Sequence, residues 1–598
     1  MLREYMPFQT HIRLVPPALL LVLLSACEPS NIDHPSSNTE YSNRTIEEIA
    51  DEVLAATMDR HPSMPTFYSI KNSRHDRLFD NSLNGLTTWQ VKEDEWLSEL
   101  NAVGEPQEVG SRDWVTYGIL HESLESSQEA RVCRKELWET STTTAWYTSL
   151  PFIFDIQPLD SEDLKDQALK RLRQVDKFID TEIENLKLGL SQGYSSPRVT
   201  VEAVPSEARA LLEENSPFLG IGIRANDDFF KENVQKIFDE EIAPAVHRFA
   251  DFIEKDYLDK ARKDLSISFN PNGSECYPAL VRSFVTIKPS ADQIHELGLQ
   301  QIKKIRVEME AILSEHYSGE SIEKFLRRVN LDREFTFRSE EEVVQYSRDA
   351  LDAARKEVAK VFGLMPKADV EIKPYPDFAA SGVGEYHSSS EDGSRPGIFY
   401  IAVKDPEHRS RASQLSTLYH ETYPGHHMQG AIALELGSKV HSFVRYTYNA
   451  GYGEGWGLYS ERLAQELSLY KTPLDLMGML SDQAARAARL VIDSGIHTKG
   501  WTRQQSIDYM LNNTGWAKVD IENDINRYIS WPAQANAYML GMLEIRRLRD
   551  FAEQELADNF DLSDFHDRIL ENGSMTLPMT EKAILSWVAS EKSDVRNP

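Results

Sequence analysis

Three histidines and a glutamate crowd one short stretch of this chain. Residues 418–429 read LYHETYPGHHMQ, which places His420, Glu421, His426 and His427 within eight positions of a 598-residue sequence holding only 16 histidines. Imidazole nitrogens suit zinc, and a carboxylate beside the metal can take a proton from water. In the common H-E-x-x-H pattern the two histidines lie one helical turn apart and share a face. Here the position four after His420 is Pro424. On a straight helix His427 returns to the face of His420 roughly 10 Å further along, while His426 lies closer but is rotated away. Pro424 removes a helical hydrogen bond and Gly425 loosens the backbone, so a bulge or break is expected, and a bulged turn would swing His426 into the ligand place. His426 is the favoured second ligand, with His427 as its alternate.

A catalytic zinc commonly takes three protein ligands and keeps one position open. The third candidate lies downstream in GEGWGLYSE, where Glu454 stands far enough along to finish one helix, turn and begin an antiparallel one. Glu461, seven residues later and on nearly the same helical face, is either a partner behind the ligands or the ligand itself. A plain surface glutamate in a Gly-rich turn is the bland alternative.

Four motifs in order, HETYPGHHMQ, GEGWGLYSERLAQE, DSGIHTKGW and RYISWPAQANAYMLG, resemble the bacterial domain-of-unknown-function family 885, which is grouped with the zincin metallopeptidases. The wider group includes angiotensin-converting enzyme, thimet oligopeptidase and the Taq-type carboxypeptidases, nearly all-helical bodies split by a deep cleft. The resemblance implies a zinc ion on His420, His426 or His427, and Glu454, with Glu421 as general base. PAQANAYMLG looks like a stretch of the Taq-type enzymes and suggests Tyr538 as donor to the oxyanion; the alternative is a tyrosine packed in a helix core. His497 is a second donor candidate, with Asp493 one turn earlier to orient it, against the reading of a buried structural histidine. Zincins lay an extended peptide along an edge strand, and the run Gly397–Val403 is the expected strand. His427, Arg395, Tyr400 and Arg527 are the candidate substrate-binding residues, although arginines on an acidic protein more often make structural ion pairs.

The elements that must position these groups are mostly helical. Thr45 with Glu47 and Glu48 behind it marks a helix start, and the long stretches beginning at Ser161, Ala225 and Ala291 keep apolar residues at helical spacing. Between Ala368 and Lys404 the pattern changes: ADVEIKPYP alternates, SGVGEYHSSSEDGSRPG reads as a loop, and IFYIAV as a short strand. The expected architecture is a mostly α, zincin-like helical body with a deep cleft and a small central β-sheet. It forms one domain over residues 46–598 with the catalytic motifs in 395–541.

The N-terminus is expected to lie outside that body. A weakly basic start and the apolar run Leu14–Leu24 fit a signal peptide too short to span a bilayer, and Leu24-Ser25-Ala26-Cys27 resembles a bacterial lipobox with Cys27 as the lipidated residue. A secretory signal with a chance cysteine is the alternative. Residues 28–45 are Ser/Asn/Pro-rich and read as a tether. With no aspartate after Cys27, the reading favours outer-membrane anchoring facing the periplasm. That compartment permits a disulfide between Cys133 and Cys276, the alternative being two buried thiols.

Sixty-five Lys and Arg against 95 Asp and Glu give a net charge of −30. Such a surface repels phosphate backbones and disfavours nucleic-acid binding. With 41% hydrophobic residues the chain can pack a core, which excludes disordered and multi-span membrane classes. The expected function is a zinc-dependent peptidase acting on short peptides in the periplasm. Its rivals are a metallohydrolase of a non-peptide amide or ester, and a non-enzymatic binding lipoprotein with a degenerate zincin core.

Overall fold

The computed structural model describes residues 44–596 apart from 69, 71, 72, 214, 330, 376–383 and 391–394. The leader, Cys27 and the tether up to residue 43 lie outside the described residues. The first helix, Ile46–Arg60, begins at Thr45 with a reciprocal cap: the Thr45 hydroxyl accepts from the Glu48 N–H, and the Glu48 carboxylate accepts from the Thr45 N–H. The stretch beginning at Ser161 forms two helices, Glu162–Leu172 and Gln174–Ser191, and the one beginning at Ala291 forms the single helix Ala291–His316 with a Ser290/Gln293 capping box.

The described chain is mostly α-helical with one three-stranded sheet. Its apolar side chains collect in two clusters. One draws on residues from Ile46 to Val588 and surrounds the His/Glu motifs; the other is confined to the segment from Trp146 to Ala261. Among the described residues no helix is long and apolar enough to cross a membrane.

One close approach shapes the motif region here. The helix Ala450–Glu466 crosses the helix Ala537–Leu556 backbone to backbone, because a Cβ on Gly541 would sit 1.7 Å from the Gly451 carbonyl oxygen. Only glycine permits that contact, and it draws the helix carrying Tyr538 onto the helix carrying Glu454.

The sheet departs from expectation. Strands β1 (Val370–Pro374), β2 (Gly384–His387) and β3 (Gly397–Ile401) are ordered β1-β3-β2, with β1 parallel and β2 antiparallel to β3. The run beginning at Gly397 is therefore the centre of the sheet, paired on both sides, and not its edge. The edge strand beside the motifs is β2, within the stretch read as loop. Four residues flanked by glycine, serine and acidic positions are too few to show a two-residue alternation.

Cys133 and Cys276 are joined in a disulfide that links the turn Arg131–Cys133 to the helix Gly273–Val285. Both cysteines are buried within the larger cluster. Closing a loop of 143 residues restricts the unfolded chain, so Cys133→Ala should cost about 2–4 kcal/mol of stability. Thermal melting of the oxidised parent and the variant checks this; equal melting temperatures would refute it.

Candidate metal centre

The helix Gln414–Glu421 stops one residue before the Thr422–Gly425 segment, and a new helix, His426–Glu435, starts beyond it. Of the bulge or break expected at Pro424, the structure shows the break. Gly425 folds so tightly over the first helix that a Cβ there would meet the His420 carbonyl oxygen at 1.8 Å. This contact returns the chain onto its own last turn. The rings of His420 and His426 end 4.7 Å apart and nearly perpendicular.

Glu454 reaches the same point from the helix Ala450–Glu466. Its Oε2 lies 3.6 Å from His420 Nε2 and 3.5 Å from His426 Nε2, and one ligand atom from each of the three residues falls within 4.8 Å of the others. Bonds of about 2.0–2.2 Å in a tetrahedron separate ligand atoms by roughly 3.3–3.6 Å, so these two spacings fit one zinc ion between the three side chains. The His420 ring is held from behind: its Nδ1–H donates to Glu461 Oε1 at 2.9 Å, and Glu461 Oε2 accepts from Gln483 Nε2. That bond fixes the ring's orientation and turns Nε2 toward Glu454. Glu461 therefore stands behind His420, outside the cluster of His420, His426 and Glu454.

The electrostatics match a site built for positive charge. Burial alone would pull the His420 imidazolium down, but the Glu454 and Glu461 carboxylates outweigh it and lift its pKa to about 9. Burial pushes Glu454 up, yet His420 and His426 prevail and hold its carboxyl well below the usual range. Glu421 is raised by burial, against the pull of His426 and His420. Its Oε2 accepts the Tyr386 backbone N–H at 3.1 Å, which ties edge strand β2 to the site.

Tyr538 joins the cluster from the glycine crossing. Its ring lies 6.2 Å from that of His420, and its hydroxyl feels the charge of Glu454, Arg489, Arg527 and Arg486. The sequence reading missed Tyr448, whose ring packs on Gly453 and whose hydroxyl feels the charge of Glu454. An aromatic residue six positions ahead of the ligand was its only signal.

Other assignments change. His427 points away from the cluster, one residue and about 100° round the helix from His426. Its Nδ1 meets the Tyr386 hydroxyl at 3.0 Å and its Nε2–H donates to the Ala368 carbonyl at 3.1 Å, so both ring nitrogens are engaged outside the cluster. His497 is buried with both ring nitrogens on backbone: Nδ1 accepts from Ile267 and Nε2–H donates to Tyr528, so it is no oxyanion donor. Asp493 does not orient His497; it accepts from the Tyr277 hydroxyl, the Ala533 N–H and the Asn536 amide, bracing the turn that launches the Tyr538 helix. Arg395 spends one guanidinium nitrogen on the Ser388 carbonyl, within its own loop. Arg527 pairs with Asp524 and Gln534. Tyr400 lies on the outer sheet face, opposite Glu385 and stacked with Tyr375 at 5.8 Å.

A mostly helical body that folds two histidines and a glutamate into a single metal-sized cluster defines the class. The chain belongs to the bacterial protein family of unknown function DUF885, whose model matches residues 62–584. Among solved structures it is similar to the "putative lipoprotein" from Colwellia psychrerythraea, at 25% identity and a TM-score of 0.85, over 91% of this chain and 99% of that one. It shares its fold with a "putative lipoprotein of unknown function" from Shewanella oneidensis, at 17% identity and a TM-score of 0.70, over 91% of this chain and 100% of that one. Curated proteins offer no match.

Proposed function

We propose that this protein is a zinc-dependent peptidase of the bacterial cell envelope, related in mechanism to the helical zincins. The observation that carries this reading is the convergence of His420, His426 and Glu454 on spacings suited to one zinc ion, with Glu421 beside them. A zinc ion held there would supply a Lewis acid that polarises a carbonyl and acidifies water. The remaining work falls to the chain's own groups. Tyr386 occupies Glu421 Oε2, which leaves Oε1 to accept a proton from the attacking water and pass it to the leaving nitrogen. The Tyr538 hydroxyl donates to the oxyanion of the tetrahedral intermediate. The substrate main chain pairs along the outer edge of β2, the strand fastened to Glu421.

Hydrolysis adds one water across the amide: its oxygen joins the carbonyl carbon, the C–N bond breaks, and a proton reaches the amine. The lipobox-like Leu24–Cys27 segment supports anchoring through Cys27 at the outer membrane, facing the periplasm, and the descriptions of the two structural neighbours agree with an envelope lipoprotein.

Metal analysis of the purified protein tests this reading. About one zinc per chain is expected in the parent and its loss in His420→Ala, with cleavage of a mixed peptide library by the parent only. Zinc without peptide cleavage would favour an amide or ester hydrolase acting on another substrate. No metal even after zinc is supplied would leave a binding lipoprotein.

A further inference from the structure

The outer face of the sheet carries a row of rings that the mechanism above does not use. Tyr400 on β3 stacks on Tyr375 at 5.8 Å and meets the His387 ring edge-on at 5.0 Å. His387 in turn meets Phe152 edge-on at 6.0 Å. Phe152 belongs to the short helix Phe152–Asp155, in the segment of the smaller apolar cluster. Its neighbours Ile153 and Phe154 are buried in that cluster, whereas Phe152 stays 39% exposed beside the sheet. Tyr375, His387 and Tyr400 are half-buried. Single exposed apolar residues are ordinary, but a contiguous row of partly exposed rings marks a contact surface.

A carboxylate stands among these rings. Glu385 is the cross-strand partner of Tyr400, accepts the His387 Nε2–H at 2.7 Å, and keeps 55% of its side chain exposed. Among the described residues no lysine or arginine pairs with it. Lys373, on the same face of β1, is spent on Glu371 at 2.9 Å. Ring faces and a carboxylate without a fixed cation together suit a side chain with an apolar stem and a positive head. The net charge of −30 draws such ligands to the protein as a whole. The row also adjoins the metal cluster. Burial raises the Tyr375 hydroxyl above its usual pKa, and the charges of Glu385 and Glu421 raise it further. The Tyr386 N–H, next to Glu385 in the chain, is bound to Glu421.

We infer that Phe152, Tyr375, His387, Tyr400 and Glu385 form a subsite for a lysine or arginine side chain of the substrate, so that the enzyme cuts peptides beside basic residues. This rests on the peptidase reading and narrows its substrates to cationic peptides. A peptide paired along β2 turns the side chain opposite Glu385 or His387 onto their face, with Cβ atoms about 4.5–5.5 Å apart. The next residue along stands opposite Tyr386, where the strand is fastened to Glu421. The basic residue therefore falls within about two residues of the scissile bond. Its stem lies along the rings, and its head meets Glu385 and the face of Tyr400.

The test measures binding separately from turnover. Zinc-loaded Glu421→Gln protein is titrated calorimetrically with matched peptides that carry lysine, norleucine or glutamate at one central position. Norleucine keeps the stem of lysine and lacks its ammonium. The lysine peptide should bind about tenfold tighter than the norleucine peptide, and the glutamate peptide weakest. Adding Glu385→Gln or Tyr400→Leu should pull the lysine-to-norleucine ratio toward one, while Tyr400→Phe, which keeps the ring, should preserve it. Both positions lie on the outer sheet face, so the fold should hold; melting curves check this. The parent enzyme should cut the lysine peptide within about two residues of the lysine. If lysine and norleucine peptides bind and are cut alike, or norleucine is preferred, the basic subsite is wrong and the peptidase stands. If binding is lysine-selective and depends on Glu385 and Tyr400 but no peptide is cut, the subsite stands and the peptidase reading fails. Failure of all the peptides to bind overturns the inference.

Discussion

Glu421→Gln should lower peptide hydrolysis by about 10²–10⁴-fold while leaving zinc content at the parental level. The amide is nearly isosteric with the carboxylate, and its oxygen can still accept the Tyr386 N–H that fixes Glu421 beside the cluster. It cannot accept a proton from water at neutral pH. The metal should remain because Glu421 does not belong to the converging set of His420, His426 and Glu454. Parallel zinc determination and cleavage assays on parent and variant decide the matter. Near-parental activity would remove Glu421 as the base, and zinc loss along with activity would make it a ligand instead.

Tyr538→Phe should lower kcat by about 10²–10³-fold, the cost of losing one preorganised oxyanion donor, with KM and zinc content little changed. Phenylalanine keeps the ring beside His420 and under the Arg489 guanidinium, so only the hydroxyl is removed. A rise in KM at constant kcat would place Tyr538 in substrate binding alone. Tyr448→Phe serves as the comparison. The Tyr448 hydroxyl lies within reach of the Glu454 charge, so its loss should weaken zinc retention more than the chemical step. The reverse pattern would exchange the roles of the two tyrosines.

The helices were legible because their signals are local. Thr45 opens its helix where its cap and the glutamates behind it place the start, and the apolar spacing from Ala291 onward becomes the helix Ala291–His316. The break at Pro424 was legible for the same reason. Strand β2 was not, since its pairing with β3 comes from residues more than ten positions away and its outer edge from the approach of Glu421. His497 looked reactive beside Asp493, but the folded chain brings Ile267 and Tyr528 backbone groups to both ring nitrogens.

The residue types of the candidate centre and the end of the helix at Glu421 follow from sequence, because ligand chemistry and helix termination depend on side chains and neighbours a few positions apart. The choice of ligand atoms belongs to the tertiary structure. His426, and not His427, joins the cluster with His420 because Gly425 packs against the His420 carbonyl and sets the phase of the second helix. Glu454, and not Glu461, faces His420 Nε2, because Glu461 reaches the same ring at Nδ1 from behind. The arginine–aspartate pairs beside Tyr538 emerged in the same way. No spacing along the chain shows whether a guanidinium finds its carboxylate, since that depends on which helices meet and how closely their backbones can approach.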